Sequence, residues 1–202
     1  FHSPNLNLQL STDLPLEKSD KGVTARFTLN EGQTATFAIG EIRPHVTDYH
    51  PFSEEESEHL FEYTVAYWRR WLSKSTYKGR WREMVERSAL TLKLLTYEPT
   101  GAIVAAPTCS LPEEMGGERN WDYRYTWLRD AAFTVYGFMR VGLTEEAGQF
   151  MRWIEARAAE LSDDGTPEIM YRLDGGHTIN EETLDHLEGY KGSSPIRVGN
   201  SA

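Results

Sequence analysis

Residues 116–130 read GGERNWDYRYTWLRD, and this stretch combines four aromatic residues with alternating polar ones before it closes on an arginine–aspartate pair. The strict alternation over residues 121–127 predicts a half-buried strand with aromatic side chains inward and polar groups outward. Residues 128–140 are apolar enough to form an inner helix. Arg129 and Asp130 are therefore expected in a buried first turn, where charged side chains must form ion pairs or serve a function.

The mixture of residue types in this stretch suits a sugar. A pyranose packs its flat C–H faces against aromatic rings, and its rim of hydroxyls needs fixed donors and acceptors. An arginine fork beside a carboxylate supplies both. The stretch therefore predicts a carbohydrate site.

Several blocks of sequence, in this order, resemble glycoside hydrolase family 15. These glucoamylase-like enzymes include glucodextranases and a group of bacterial trehalases. The blocks are GRW at 79–81, RSALTLKLL at 87–95, AAPT at 105–108, SLPE at 110–113 and RNWDYRYTWLRD at 119–130. The resemblance covers nearly the whole chain. It implies a mostly α fold, the first part of an (α/α)6 toroid preceded by terminal strands of a β-sandwich domain.

The domain organisation follows from the same comparison and from the element pattern. Residues 1–44 alternate as strands do and are expected to be the carboxy-terminal strands of an amino-terminal β-sandwich. Residues 45–78 are expected to form a linker and a linker helix, which starts at a capping box from Ser53 to Glu56. Residues 79–202 are expected to be the amino-terminal part of an (α/α)6 glycosidase barrel.

Apolar residues at helical spacing predict four helices. The first runs to about Leu72, the second ends near Leu95, the third covers about 127–141, and the fourth opens at Thr144 and ends at 162–165. Gly142 is the expected stop of the third helix. Residues 168–173 and 177–179 are expected to pair as a strand hairpin between helices.

The resemblance carries four substrate-binding residues over from the family motif. Tyr123, Trp127, Arg129 and Asp130 match the residues that line the subsite for the non-reducing glucose. Arg129 and Asp130 are expected to hold distal hydroxyls of the sugar, while the two aromatic rings wall the pocket. Such contacts position the ring for attack and do not perform the chemistry.

Two further substrate-binding candidates, Tyr190 and Arg197, lie in the block GYKGSSPIRVGN at residues 189–200. In relatives this block borders the same pocket. Arg197 is expected to be a structural ion-pair partner first and a ligand contact second.

No catalytic residue is assigned within this chain. Inverting glycosidases use an acid and a base carboxyl about 6.5–9.5 Å apart, and in this family both are glutamates. The resemblance places the acid in a Trp-Glu motif downstream of residues 189–200 and the base near the end of the barrel, and no Trp-Glu pair occurs here. The expected parent is an inverting exo-acting α-glucosidase that releases glucose without a cofactor, and the 202-residue chain alone is expected to be inactive.

Composition excludes several other functions. The chain has 21 Lys and Arg against 31 Asp and Glu, a net charge of −10, which disfavours a nucleic-acid partner. No apolar run approaches the roughly 18 residues of a membrane helix. The single cysteine, Cys109, excludes an internal disulfide framework and favours a reducing, cytoplasmic location.

A metal site is also not expected. The acidic residues near His177 and His186 match no standard ligand spacing and are expected to be a solvated face. They are Glu181, Glu182, Asp185 and Glu188.

Several alternatives stay open from the sequence. The substrate is a maltooligosaccharide, a dextran-type glucoside or trehalose, and the competing class is a non-catalytic carbohydrate-binding protein that retains the glucose pocket. A third hypothesis is a helical scaffold that binds no ligand. The chain begins with Phe1 and reads as a piece of a longer protein. A partial toroid exposes the inner faces of its helices, so pairing with a second copy or with the remainder of a longer chain is expected.

Overall fold

The structure is a computed structural model that describes residues 1–3, 6–20, 22–42, 50–161 and 165–200. It divides into two compact units, Phe1–Arg70 and Trp71–Ala202. The three-part division at residues 44 and 78 stays a prediction. Residues 45–49 of the predicted linker and residues 162–164 at the predicted end of the fourth helix lie outside the described residues.

Within the described residues, the amino-terminal unit contains five short strands and most of one helix. They are β1 His2–Ser3, β2 Leu6–Ser11, β3 Glu17–Ser19, β4 Gly22–Thr24, β5 Ala38–Glu41 and α1 Glu54–Leu72. β1, β2 and β5 form an antiparallel sheet in that order, and β3 pairs with β4 in a hairpin. Whether these strands belong to a sandwich stays a prediction.

The predicted start of α1 is confirmed. The backbone N–H of Ser53 donates to Glu56 Oε2 at 2.8 Å, and the backbone N–H of Glu56 donates to Ser53 Oγ at 3.2 Å. This reciprocal pair satisfies two amide donors that the first helical turn leaves without partners.

In the part of the carboxy-terminal unit that the structure describes there are three α-helices and six short strands. The helices are α2 Arg82–Leu94, α3 Leu128–Arg140 and α4 Thr144–Ala158, and the strands are β6 Thr96–Tyr97, β7 Ala102–Ile103, β8 Thr126–Trp127, β9 Met170–Tyr171, β10 Glu182–Leu184 and β11 Ile196–Val198. β6 pairs with β7, β8 with β9, and β10 with β11, all antiparallel. The described residues thus mix helix and strand, and the toroid stays a prediction.

The core of this unit lies where α3 and α4 meet the short strands. A cluster of buried residues fills it: Ala102, Ile103, Ala131, Phe150, Trp153 and Tyr171. Because β8 leads directly into α3, this packing fixes the position of the residues at the start of α3.

A buried ion pair joins the end of α1 to α2 and α4. Glu146, 2% exposed, receives a hydrogen bond from Trp71 Nε1 at 2.7 Å and an ion pair from Lys93 Nζ at 2.8 Å. Burial opposes ionisation, but the bonds from Lys93 and Trp71 outweigh it and lower the pKa of Glu146.

Two predictions about strands are wrong, the second only in part. Residues 168–173 do not pair with 177–179, since β9 pairs with β8, where Thr126 faces Tyr171. The predicted alternation over residues 121–127 holds only in part: Asp122 and Thr126 are 0% exposed and Trp121 is 36% exposed, against the prediction, whereas the Arg124 side chain is 48% exposed, as predicted. The burial of Asp122 is compensated, because its carboxylate finds charged and amide partners inside the unit.

No helix within the described ranges is both long enough and apolar enough to cross a bilayer.

Candidate functional site

A cavity of about 340 Å³ opens at the start of α3. Tyr123, Trp127, Arg129 and Asp130, four of the six predicted substrate-binding residues, line it. The first two are supplied by the segment that ends in β8, and the other two by the first turn of α3. The structure therefore brings these four side chains to one place.

Two aromatic rings and an ion pair form the centre of the cavity. The ring centroids of Tyr123 and Trp127 lie 5.9 Å apart at an interplanar angle of 45°. Arg129 donates to Asp130 Oδ2 from Nε at 3.2 Å and from Nη2 at 3.0 Å. Flat rings beside a guanidinium and a carboxylate offer a sugar apolar surface, donors and acceptors together.

The predicted burial of the first turn of α3 is wrong. The Arg129 side chain is 75% exposed and that of Asp130 is 38% exposed. Both side chains project into the open cavity and pair with each other, so the helix interior does not have to accommodate their charges. Their hydrogen-bonding groups remain accessible to a ligand.

The hydroxyl of Tyr123 is held as a neutral donor. It donates to Glu113 Oε1 at 3.3 Å. Burial raises the pKa of this hydroxyl, and the negative charges of Glu113 and Asp130 raise it further against the opposing charge of Arg129. At neutral pH the group is therefore protonated.

Behind the cavity wall, Asp122 joins three segments of the chain. Its carboxylate accepts from Arg124 Nε at 2.9 Å, from Arg124 Nη2 at 2.8 Å and from the backbone N–H of Gly199 at 3.0 Å. Its backbone carbonyl accepts from Asn200 Nδ2 at 2.9 Å, and its backbone pairs with Cys109 in an isolated bridge. Burial alone would raise the pKa of Asp122, but the bonds from Arg124 and Gly199 lower it overall.

Arg197 lies behind Trp121 and not among the residues that line the cavity. Its guanidinium pairs with Glu181 Oε1 at 3.2 Å and donates to Asn120 Oδ1 at 2.8 Å. The guanidinium carbon is 4.7 Å from the centroid of the Trp121 ring, a cation–π distance. Its role as a ligand contact stays a prediction.

Tyr190 is not brought to the cavity either. It begins a short 3-10 helix, Tyr190–Gly192, and is 52% exposed. Its predicted contact with substrate stays a prediction.

The sequence analysis did not assign five residues that line the cavity: the polar or aromatic Glu113, Trp121 and Asn200, and the apolar Ala105 and Met170. Glu113 and Trp121 lie inside blocks that carried the family resemblance, and Asn200 is the last residue of the block at 189–200. Nothing local in those blocks indicates which side chains reach the cavity, because the loop from 104 to 120 and the end of β11 meet only in the folded chain.

A larger cavity, of about 740 Å³, lies elsewhere in this unit and contains none of the predicted site residues. Its two arginines, Arg124 and Arg172, are already paired with Asp122 and Asp174, at 2.8 Å and 3.0 Å. The described residues contain no group of three or more histidine, cysteine, aspartate or glutamate side chains that could hold a metal ion.

The family model of glycosyl hydrolases family 15 matches residues 79–202. The chain is 41% identical over 197 residues to the trehalase of Thermoplasma acidophilum, covering 92% of this chain and 33% of that protein. It is 40% identical over 198 residues to the trehalase of Mycolicibacterium smegmatis, covering 96% of this chain and 29% of that protein. The chain thus spans about a third of the length of these relatives. No solved structure matches it significantly.

Proposed function

The chain belongs to glycoside hydrolase family 15, and from this membership we propose that it supplies the glucose-binding subsite of an inverting, exo-acting α-glucosidase. The observation that supports the proposal is the cavity in which the Arg129–Asp130 pair stands beside the rings of Tyr123 and Trp127. Trehalose is the substrate we favour, since the similar proteins from Thermoplasma and Mycolicibacterium are named trehalases.

The proposed role of this subsite is to hold the glucose whose bond is cleaved. The Asp130 carboxylate accepts from sugar hydroxyls and the Arg129 guanidinium donates to them, while the aromatic rings pack against the C–H face. Holding the sugar ring in one orientation places its glycosidic bond in the geometry that attack by water requires. The acid and base glutamates of the inversion are contributed by other parts of the protein.

The first experiment titrates the 202-residue chain with glucose and with trehalose and follows tryptophan fluorescence, because Trp127 lies in the cavity wall. Replacing Asp130 by Asn preserves the shape and removes the charge. We expect the affinity for sugar to fall roughly tenfold or more, because a hydrogen bond to a charged group contributes about that much binding free energy.

Asp174→Asn is the matched control. Asp174 forms a similar exposed pair with Arg172, at 3.0 Å, but it does not line this cavity. The Asp174→Asn variant should bind sugar with the same affinity as the unchanged chain. Equal affinities of the Asp130→Asn variant and the unchanged chain would contradict the proposed subsite.

The second experiment measures glucose release from trehalose, maltose and isomaltose by the longer protein and by the 202-residue chain. The longer protein should hydrolyse trehalose fastest, and the chain alone should be inactive. Hydrolysis by a verified 202-residue chain would overturn the assignment of the catalytic glutamates to other segments. Sugar binding without hydrolysis by the longer protein would support a carbohydrate-binding protein instead.

A further inference from the structure

We propose that Asn200 is an additional sugar-contacting residue of this cavity and that Asp122 is the positioning residue that holds it in place. The inference rests on the proposed function, because it assigns residues to the same subsite.

Asn200 has the burial and the free acceptor that such a contact needs. It lines the cavity and is only 6% exposed. Its Nδ2 donates to the backbone carbonyl of Asp122 at 2.9 Å, which leaves Oδ1 without a hydrogen-bond partner among the described residues. That oxygen is not among the fully buried side-chain atoms of the described residues that lack a hydrogen-bond partner, so it retains some exposure to solvent. It is therefore a fixed acceptor that a ligand in the cavity can reach.

Asp122 fixes this acceptor from two directions. The carboxylate binds the N–H of Gly199, the residue before Asn200, and the carbonyl binds the Asn200 side chain. Gly199 has φ +75°, and a Cβ there would collide with the carbonyl of Asn180. The backbone leading to Asn200 thus has little freedom to move.

Asp122 also lies between two other residues of the cavity wall. Trp121 and Tyr123 line the cavity, whereas the Asp122 side chain between them is fully buried. Its pair with Arg124 holds this segment so that both aromatic side chains face the cavity. One buried carboxylate therefore positions three residues of the wall, and none of its own atoms needs to touch the sugar.

The chemistry of Asn200 differs from that of the Arg129–Asp130 pair. A neutral amide oxygen accepts one hydroxyl hydrogen and provides no charge. When a sugar that lacks the matching hydroxyl binds, the amide oxygen is left without a hydrogen-bond donor in the complex. This lowers the affinity for that sugar. The amide should therefore discriminate between glucose and one particular deoxyglucose.

The test titrates a set of monodeoxyglucoses against the unchanged chain and against Asn200→Ala, Asp122→Asn and Asp130→Asn, with glucose as the reference. Asn200→Ala should lose about tenfold in affinity for glucose. It should bind the deoxyglucose that lacks the contacted hydroxyl as well as the unchanged chain does. Asp122→Asn keeps the backbone carbonyl that accepts from Asn200, but it places an NH2 group where a carboxylate oxygen accepted from Arg124 or from Gly199. The segment that carries Asn200 is then held less firmly, so this variant should lose discrimination at the same hydroxyl.

The pattern of results separates positioning from general stability. A merely structural role for Asp122 would weaken all the sugars by the same factor and leave the discrimination intact, which would overturn its assignment. An Asn200→Ala variant with an unchanged profile, beside an Asp130→Asn variant that binds poorly, would refute the inference and leave the proposed function standing. Full binding by Asp130→Asn would contradict the proposed function itself.

Discussion

At the scale of single residues, Thr126 is a fully buried neighbour of Trp127, which lines the cavity. It is 0% exposed, and its hydroxyl has no hydrogen-bond partner among the described residues. Thr100 provides a contrast in the same unit, since its hydroxyl donates to the Leu173 carbonyl at 2.9 Å and accepts from the Ala102 N–H at 3.3 Å. A buried hydroxyl costs free energy unless it is hydrogen-bonded.

Replacing Thr126 by Val should therefore stabilise the chain by about 1 kcal/mol, because the shape is kept and an unpaired hydroxyl is removed. The matched change Thr100→Val should destabilise it by about 1–2 kcal/mol, because both hydrogen bonds of the Thr100 hydroxyl are lost. Denaturant unfolding of the three proteins measures both effects. A loss of stability in Thr126→Val would mean that its hydroxyl is satisfied in solution.

The resemblance to the family motif selected Tyr123, Trp127, Arg129 and Asp130. The structure brings these four together because they are close in sequence and a short strand and a helical turn place them. The same motif could not predict Asp122, whose partners Gly199 and Asn200 lie 77 and 78 residues away. The sequence pattern predicts that an aspartate between aromatic residues is exposed, and only its distant partners explain why Asp122 is buried.

At the scale of elements, the helices could be predicted because their ends carry local signals. The Ser53–Glu56 capping box starts α1, and Gly142 follows α3 with φ +81°, a conformation that favours glycine. The pairing of β8 with β9 could not be predicted, because two-residue strands have no periodicity and their partners are set by the packing of α3 on α4.

Gly142→Ala should destabilise the carboxy-terminal unit by about 1–2 kcal/mol from the left-handed backbone alone. The added Cβ would also lie 2.7 Å from Thr76 Oγ1, so the true loss should be larger. Gly148→Ala is the matched change within α4, where the nearest atom to the new Cβ is Arg152 Nη1 at 3.7 Å.

Gly148→Ala should stabilise the same unit by about 0.5–1 kcal/mol, the helix-propensity difference between the two residues. Thermal unfolding of both variants should show shifts of opposite sign. Shifts of the same sign would mean that the turn after α3 adopts another conformation in solution.

At the scale of the whole molecule, α3 carries an uncovered apolar face. Phe133, Tyr136 and Met139 are 73%, 62% and 58% exposed. Large exposed apolar patches are typical of surfaces that contact other protein. Association with a second copy or with the remainder of a longer chain would cover this face, and it stays a prediction.

The stability of the carboxy-terminal unit should depend on pH through two buried carboxyls, Asp122 and Glu146. Both have a lowered pKa in the folded chain. As the pH falls, the unfolded chain takes up protons near the ordinary values of about 4 and the folded chain only at lower pH. Their contribution is therefore complete above about pH 5 and is lost as the pH falls through the folded pKa.

Glu146→Gln should lower the free energy of unfolding at pH 7 by about 1–3 kcal/mol, because Lys93 loses its charged partner while Trp71 keeps an acceptor. The dependence of that free energy on pH should become shallower below about pH 5, since one of the two carboxyls is gone. Glu145→Gln is the control, because its ion pair with Lys74 is exposed at 45% and 68% and such pairs contribute little. Denaturant unfolding across this pH range measures all three proteins, and an unchanged slope in Glu146→Gln would mean that its carboxyl has the same proton affinity in both states.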